Sequence, residues 1–301
     1  MDKPRVSIII TNYNYDKFLK EAIDSALKQT YLNTEIVVVD DGSTDNSRDI
    51  IKSYGSKIVP VLKVNGGQAS AFNAGFAASR GEIICFLDSD DMFMPEKVAE
   101  IVEVFNFDRD IGWCYHLLQL MDAKTKTLMK SNYTFVSCEC DLRTLMKTGR
   151  LRGKLLCNPA TSGLCFRRSL LQQILPMPEA ASISLSDNYL KFTAVALSKG
   201  FALAKELALQ KIHSENAFSF RKDKPQLTAR IHILTAYWMR DKFPFIKKFT
   251  NNLFAVGLGT YWRTGGIEPT SQEVIQSYLS TLLPLEKLEI NFRAFYHRLK
   301  L

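Results

Sequence analysis

The sequence predicts an α/β protein in which a mostly parallel sheet is flanked by helices, as in Rossmann-like folds, with a helical region at the C-terminal end. Three observations carry this prediction. Short β-branched runs alternate with helically spaced apolar residues in the first half of the chain, two of these runs end in aspartates, and the pattern from residue 221 onward is helical and aromatic. The chain of 301 residues, 46% hydrophobic and 23% charged, can bury a large core, which excludes a disordered or collagen-like protein.

The N-terminal elements follow one another as two β-α-β units. Each strand is a short apolar run, and each helix repeats apolar residues every three or four positions. The predicted elements are strand 6–11, helix 16–28, strand 35–39, helix 47–54, strand 58–62, helix 68–79 and strand 82–87. A helix after Pro95, strands 113–121 and 164–167 and a helix 185–198 complete the first part of the chain. We expect a domain boundary near residue 220, with a first domain 1–220, made of halves of about 1–110 and 111–220, and a helical region 221–301.

The cysteines and the hydropathy pattern point to a cytoplasmic protein. The six cysteines show no paired CxxC spacing, which favours reduced core residues over a zinc site or disulfides. No apolar run approaches the about 20 residues that a membrane-spanning helix requires. The first residues lead directly into the first predicted strand, without the cleavage region of a signal peptide.

The positive charge is concentrated near the C-terminal end. Residues 1–220 hold 26 Lys and Arg against 25 Asp and Glu, whereas residues 221–301 hold 13 against 6. A basic, aromatic segment can contact the inner face of an anionic membrane or a phosphorylated acceptor, and nucleic acid is the less expected partner. Solvated charges on the helices of a small aromatic bundle explain the same pattern, and both interpretations stay open at this point.

Acidic residues follow two of the predicted strands. Asp88, Asp90 and Asp91 come directly after the apolar run 83–87, and Asp40 follows the run 35–39. Ligands bind beyond the carboxyl ends of strands in open α/β sheets, and hard divalent cations such as Mg²⁺ and Mn²⁺ prefer oxygen ligands and bridge to phosphates. A nucleoside diphosphate with a divalent cation therefore suits this edge. The alternative is a solvated loop whose aspartates cap the following helix.

The first two thirds of the chain resemble the family 2 glycosyltransferases of the GT-A fold. The resemblance rests on three words in the family's order: VSIIITNYN at 6–14, VVVDDGS at 37–43 and LDSDD, with its DXD motif, at 87–91. It implies an inverting enzyme of polysaccharide biosynthesis that uses a nucleotide diphosphate sugar, foremost a UDP-sugar. We expect addition of single sugars, because residues 221–301 lack the Gln-x-x-Arg-Trp word of processive polysaccharide synthases. The acceptor would be a hydroxyl on a glycan, a lipid-linked saccharide or a protein-bound saccharide.

The resemblance also implies which residues contact the donor. Thr11, Tyr13 and Asp40 would contact the base, residues 65–67 would border the nucleotide pocket, and Asp88 would lie near the ribose and the metal. Asp90 would coordinate the cation, Mn²⁺ or Mg²⁺. The implied donor-binding set is Thr11, Tyr13, Asp40, Asn65, Gly67, Asp88 and Asp90.

Two further residues match functional positions of the family. Asp187 falls where the family's catalytic Glu-Asp pair begins a helix, so it would be the general base, although Ser186 replaces the glutamate and an N-cap is the alternative role. His213 lies in a segment similar to the family's Arg-x-His-x-x-Asn and would complete the metal shell. Its alternative is a structural histidine, the role we expect for His116, His232 and His297.

Other functions remain open on the sequence alone. A nucleotidyltransferase of similar fold would need a Gly-rich basic loop near the N-terminal end, and residues 11–15 contain neither glycine nor lysine. A protein that binds a nucleotide sugar without turnover would carry the same donor-contacting residues. A homo-oligomer is compatible with all of these readings.

Overall fold

The structure is a computed structural model that describes residues 3–129, 134–151, 155, 157–179, 187–214, 216 and 223–299. It contains two compact units. The first comprises Met1–Asp141, Lys154–Glu179 and Leu197–His213, and the second comprises Leu142–Gly153, Ala180–Ala196 and Ser214–Leu301. The boundary expected near residue 220 lies outside the described residues.

The strands and helices follow the predicted order through the described part of the chain. The strands are β1 (Val6–Asn12), β2 (Thr34–Asp41), β3 (Val59–Lys63), β4 (Ile83–Asp88), β5 (Met92–Phe93), β6 (Trp113–Asp122), β7 (Cys138–Cys140), β8 (Leu164–Arg167) and β9 (Gly200–Ile212). The helices are α1 (Asp16–Leu27), α2 (Ser47–Ser53), α3 (Gly67–Ala78), α4 (Lys97–Phe107), α5 (Arg143–Thr148), α6 (Arg168–Ile174), α7 (Asp187–Leu197), α8 (Lys224–Lys242), α9 (Lys247–Arg263), α10 (Pro269–Ser280) and α11 (Pro284–Leu299).

The nine strands form one mixed sheet in the first unit. Their order is β3-β2-β1-β4-β8-β6-β9-β5, and β7 pairs with β9. The part built from the two β-α-β units, β3-β2-β1-β4, is parallel, as right-handed crossovers through helices require. β8 runs antiparallel between β4 and β6, and β6 and β9 are parallel. The predicted α/β architecture is confirmed.

The central strand β1 is buried on both faces. Ile8 and Ile10 pack into the cluster that contains Leu19 and Ile23 of α1. Ile9 points to the opposite face, where α3 covers the sheet and Gly75 approaches it closely. Burial on both faces explains why this strand is a continuous apolar run instead of an alternating one.

The second unit contains helices that pack closely through glycines of α9. A Cβ atom at Gly257 would lie 2.9 Å from the carbonyl oxygen of Ala229 in α8, and one at Gly259 would lie 2.4 Å from that of Ala294 in α11. The rings of Phe254 and Tyr278 stack with centroids 3.9 Å apart. Within the described residues, none of the helices has the length and hydropathy to cross a membrane.

Candidate functional site

The register of the parallel strands brings two acidic strand ends to one edge of the sheet. β1 lies between β2 and β4, with Asn12 opposite Asp40 on one side and Thr11 opposite Asp88 on the other. The carboxyl ends of parallel strands share one edge, so the loops that follow β1, β2 and β4 start from the same edge. The structure therefore brings the predicted residues Thr11, Asp40 and Asp88 together at the base of one site.

Three carboxylates form a cluster in the turn after β4. One oxygen each of Asp88, Asp90 and Asp91 lies within 4.8 Å of the others, and the Asp91 amide closes the turn by donating to the Asp88 carbonyl at 3.1 Å. Asp88 and Asp90 are half-buried, and Asp91 is buried. Like charges at this separation repel unless a cation or a proton compensates them. This set of hard oxygen ligands fits Mg²⁺ or Mn²⁺.

Asp91 supports this turn from inside the protein. It accepts a hydrogen bond of 2.6 Å from the Ser162 hydroxyl and one of 3.2 Å from the Lys211 amide. Burial, followed by the charge of Asp90, raises the pKa of Asp91 to about 8. Because its oxygens are used internally, Asp91 positions the turn, while Asp88 and Asp90 present the more accessible oxygens.

His213 directly follows β9 and reaches the acidic cluster. Its Nε2 atom lies 3.2 Å from Oδ2 of Asp90. The imidazole stacks on Phe18 with ring centroids 4.4 Å apart and meets the edge of Tyr15 at 5.8 Å. These two aromatic contacts set the plane of the ring, so the structure unites Asp90 and His213, the two residues predicted to bind the metal.

Asp40 is fully buried, and its carboxylate is engaged inside the protein. It accepts hydrogen bonds from Arg48 Nε at 2.8 Å, from Asn12 Nδ2 at 3.1 Å and from the Ser43 amide at 3.1 Å. Burial by itself would raise the pKa of Asp40, but the hydrogen bonds from Arg48, Ser43 and Asn12 together hold it below its ordinary value. Asp40 thus connects the ends of β1 and β2, and its contact with the donor base stays a prediction.

The neighbouring Asp41, which the sequence reasoning did not select, holds the loop at residues 65–67. Its carboxylate accepts hydrogen bonds from Lys63 Nζ at 2.6 Å and from the Gly67 amide at 2.7 Å. The Asn65 side chain donates to the Asp41 carbonyl at 2.9 Å. Gly42 has a φ of +85°, and a Cβ atom there would lie 2.5 Å from the Asn65 nitrogen. The sequence signal that could have indicated this contact is the pair Asp41-Gly42 at the end of β2, because glycine readily adopts a positive φ.

Tyr13 lies just beyond the end of β1. Its side chain is 48% exposed at the edge of the sheet where the acidic loops begin. Asn14, which follows it, has a φ of 57° and accepts a hydrogen bond from the Thr44 amide at 2.8 Å. This turn leaves the Tyr13 ring accessible to a ligand.

Asp187 is the first residue of α7 and belongs to the second unit. One of its oxygens lies 3.0 Å from Nζ of Lys191, one helical turn further along. The Asp187 side chain is 18% exposed and the Lys191 side chain 5%. The carboxylate therefore keeps an exposed edge while a buried cation fixes its orientation. Ser186 lies outside the described residues.

Comparison with known sequences identifies relatives that are named glycosyltransferases. The sequence model described as Glycosyl transferase family 2 matches residues 7–175. An uncharacterized glycosyltransferase of Nostoc sp. is 39% identical over 216 residues, which cover 70% of this chain and 66% of that protein. An uncharacterized glycosyltransferase of Rickettsia typhi is 44% identical over 126 residues, which cover 42% of this chain and 40% of that protein. The chain thus spans less than two thirds of the length of these relatives.

Comparison with solved structures confirms the predicted GT-A fold. S. aureus TarS 1-349 in complex with UDP-GlcNAc has a TM-score of 0.65 at 19% identity, over 97% of this chain and 83% of that chain. The mannosyltransferase PcManGT from Pyrobaculum calidifontis, in complex with GDP-Man and Mn2+, has a TM-score of 0.55 at 17% identity, over 98% of this chain and 85% of that chain. At sequence identities this low, the similarity shows a shared fold alone.

Proposed function

The chain belongs to glycosyl transferase family 2, and on this premise we propose that it transfers a single sugar from a UDP-sugar to an acceptor hydroxyl, with inversion at the anomeric carbon. The observation that carries the proposal is the convergence of Asp88, Asp90 and His213 at the sheet edge where the three parallel strands β1, β2 and β4 end. The similar TarS and PcManGT structures contain a UDP-sugar and a GDP-sugar respectively, which supports a nucleotide-sugar donor.

Asp88, Asp90 and His213 would hold a divalent cation, Mn²⁺ or Mg²⁺, whose charge would offset that of the departing diphosphate. Their oxygen and nitrogen donors fit either ion. Thr11, Tyr13, Asn65 and Gly67 would position the nucleotide. Thr11 lies near the end of β1, and Tyr13 directly follows that strand. Asn65 and the first residue of α3, Gly67, are hydrogen-bonded to Asp41.

Asp187 would accept the proton of the acceptor hydroxyl as that oxygen attacks the anomeric carbon. The bond from the anomeric carbon to the diphosphate oxygen breaks on the opposite face of the sugar, so no covalent intermediate with the protein is required. General-base help of this kind is worth roughly 10² to 10⁴ in rate. The acceptor, on a glycan, a lipid-linked or a protein-bound saccharide, stays a prediction, as do the cytoplasmic location and a homo-oligomer.

The proposal is tested by donor hydrolysis with UDP-, GDP- and dTDP-sugars, with and without Mn²⁺. We expect hydrolysis of a UDP-sugar that requires the cation, and loss of at least about 10²-fold in Asp90→Asn, because the cation stabilises charge that develops in the transition state. Asp49→Asn is the matched control, since Asp49 is 80% exposed and pairs with the exposed Lys52 at 3.3 Å. Turnover that is insensitive to a chelator would refute the metal assignment.

Asp187→Asn separates an enzyme from a protein that only binds its ligand. We expect sugar transfer to fall with little change in affinity for UDP measured by calorimetry, because the carboxylate acts on the acceptor proton and not on the nucleotide. Unchanged transfer by this variant would contradict the assignment of Asp187 as the base.

A further inference from the structure

Helix α11 exposes a set of large apolar side chains on its outer side. Six of them are between 51% and 80% exposed, namely Leu285, Leu288, Phe292, Phe295, Tyr296 and Leu299. Isolated exposed apolar residues are normal on protein surfaces, but a contiguous set marks an interaction site. We refer to these six residues as the apolar stripe of α11.

The apolar stripe occupies one side of the helix. At about 100° per residue its six members fall within an arc of about 100°. Ile290 and Ala294 lie on the opposite side and are buried, and Ala294 meets α9 at Gly259. The helix is therefore anchored to its own unit through one face while the apolar stripe faces away from it.

Charged residues lie on both sides of the apolar stripe. On one side Lys287 and Arg298 are exposed. On the other side Glu289, 58% exposed, lies about 20° from the edge of the stripe around the helix axis. Glu289 pairs with Arg293 at 2.5 Å, and Glu286 lies 3.5 Å from Arg240. An exposed apolar arc with lysine and arginine along one side is typical of a helix that lies in the interface of an anionic membrane.

Two shallow grooves beside the apolar stripe combine aromatic rings with a guanidinium group. One, of about 350 Å³, is lined by Trp262, Gly266, Phe295 and Arg298. The other, of about 420 Å³, is lined by Glu289, Phe292, Arg293 and Tyr296. In the second groove Arg293 is paired with Glu289 and donates to Asn252, so the first groove, with Arg298, is the one whose guanidinium group suits a phosphate. Aromatic side chains favour the boundary between head groups and acyl chains.

From these observations we propose that α11 docks on an anionic lipid surface, with the apolar stripe inserted among the head groups. Charge complementarity favours this occupant over a second copy of the chain. Residues 221–301 carry 13 Lys and Arg against 6 Asp and Glu, so two copies facing each other would repel, whereas an anionic leaflet attracts this segment. The proposal does not depend on the transferase activity proposed above.

Vesicle flotation tests the proposal with the whole chain. We expect the protein to float with vesicles of phosphatidylcholine and phosphatidylglycerol, to bind vesicles of phosphatidylcholine alone more weakly, and to be released by salt. The double variant Leu288→Ser and Phe292→Ser should bind at least about tenfold more weakly, because two inserted side chains are lost. The matched control is Leu32→Ser with Phe107→Ser, which removes two exposed apolar side chains of the same types from the first unit.

A second pair of variants tests the charges. Lys287→Glu with Arg298→Glu should reduce binding to the anionic vesicles, and Lys20→Glu with Lys57→Glu, which changes two exposed lysines of the first unit, should not. Equal binding by the wild type and the α11 variants, or no binding to anionic vesicles at low salt, would overturn the proposal.

A self-association measurement completes the test. Sedimentation of the wild type should show no oligomer that the Leu288→Ser and Phe292→Ser variant loses. A dimer lost in that variant, without vesicle binding by the wild type, would identify the apolar stripe as an interface between copies and would refute lipid docking. Donor hydrolysis by the same variants reports on the catalytic unit separately, so the two proposals can fail independently.

Discussion

Ser162 is a fully buried residue that links two of the clustered aspartates through one hydroxyl group. Its Oγ atom accepts a hydrogen bond from the Asp88 amide at 3.1 Å and donates one to Asp91 at 2.6 Å. The sequence analysis left residue 162 just before the predicted strand 164–167 and assigned it no partner. The contact joins residues more than 70 positions apart, so local patterns cannot predict it.

We expect Ser162→Ala to lower the free energy of unfolding by about 1–3 kcal/mol, because the buried Asp91 carboxylate loses a hydrogen-bond donor. Urea unfolding measures this change. Ser47→Ala is the matched control: the Ser47 hydroxyl is also buried, and it has no hydrogen-bond partner among the described residues. Its removal should change the stability by less than about 0.5 kcal/mol. Equal effects of both substitutions would contradict the bridging role of Ser162.

At the scale of the elements, the contact of α3 with the sheet depends on a glycine. A Cβ atom at Gly75 would lie 2.4 Å from Cγ2 of Ile9 and 3.1 Å from Cγ2 of Val39. The sequence predicted this helix at 68–79, and the structure has it at Gly67–Ala78. The close approach of this helix to β1 and β2 could not be predicted from the sequence. The periodicity of a helix does not indicate which of its residues contacts a strand.

Gly75→Ala should therefore destabilise the protein, although alanine is the better helix former. Overpacking against the strands costs about 1–3 kcal/mol, which exceeds the gain of about 1 kcal/mol in helix propensity. Ala77→Gly in the exposed part of the same helix should cost about 1 kcal/mol through propensity alone. Thermal unfolding of both variants measures the two terms, and a stabilised Gly75→Ala would refute the close packing.

At the scale of the whole molecule, each unit contains a histidine that folding keeps neutral. Burial, and then the charge of Lys97, lowers the pKa of His116 to about 3. Burial, and then the charge of His297, lowers the pKa of His232 to about 4. In the unfolded chain both titrate near about 6.5. Below that pH the unfolded chain binds protons that the folded protein does not. The free energy of unfolding of both units therefore decreases as the pH is lowered.

We expect the free energy of unfolding to decrease between about pH 7.5 and about pH 5, and His116→Gln to remove about 2 kcal/mol of that decrease. Urea titrations at both pH values measure it. Thr235→Val, at a fully buried position without a titratable group, is the control and should leave the decrease unchanged. A His116→Gln variant with the full pH dependence would show that His116 titrates normally in the folded protein.

The sequence by itself determined the class of the fold, the order of its elements and the acidic words at the ends of β2 and β4. These follow from local periodicity and from spacing, which are properties of short segments. It also paired Asp90 with His213, 123 positions further along, and this pairing came from a resemblance to a family because no local signal links the two residues.

Only the tertiary structure decided how these residues are used. It showed that the Asp40 carboxylate accepts its hydrogen bonds from residues inside the protein and that Asp41 binds the loop at residues 65–67. It also showed that Ser162 is hydrogen-bonded to the acidic turn. It further showed that α11 turns six large apolar residues outward, although the sequence was equally consistent with a bundle core. The physical reason is the same in each case: burial and pairing depend on which distant segments pack together, and a linear pattern carries no information on the partner.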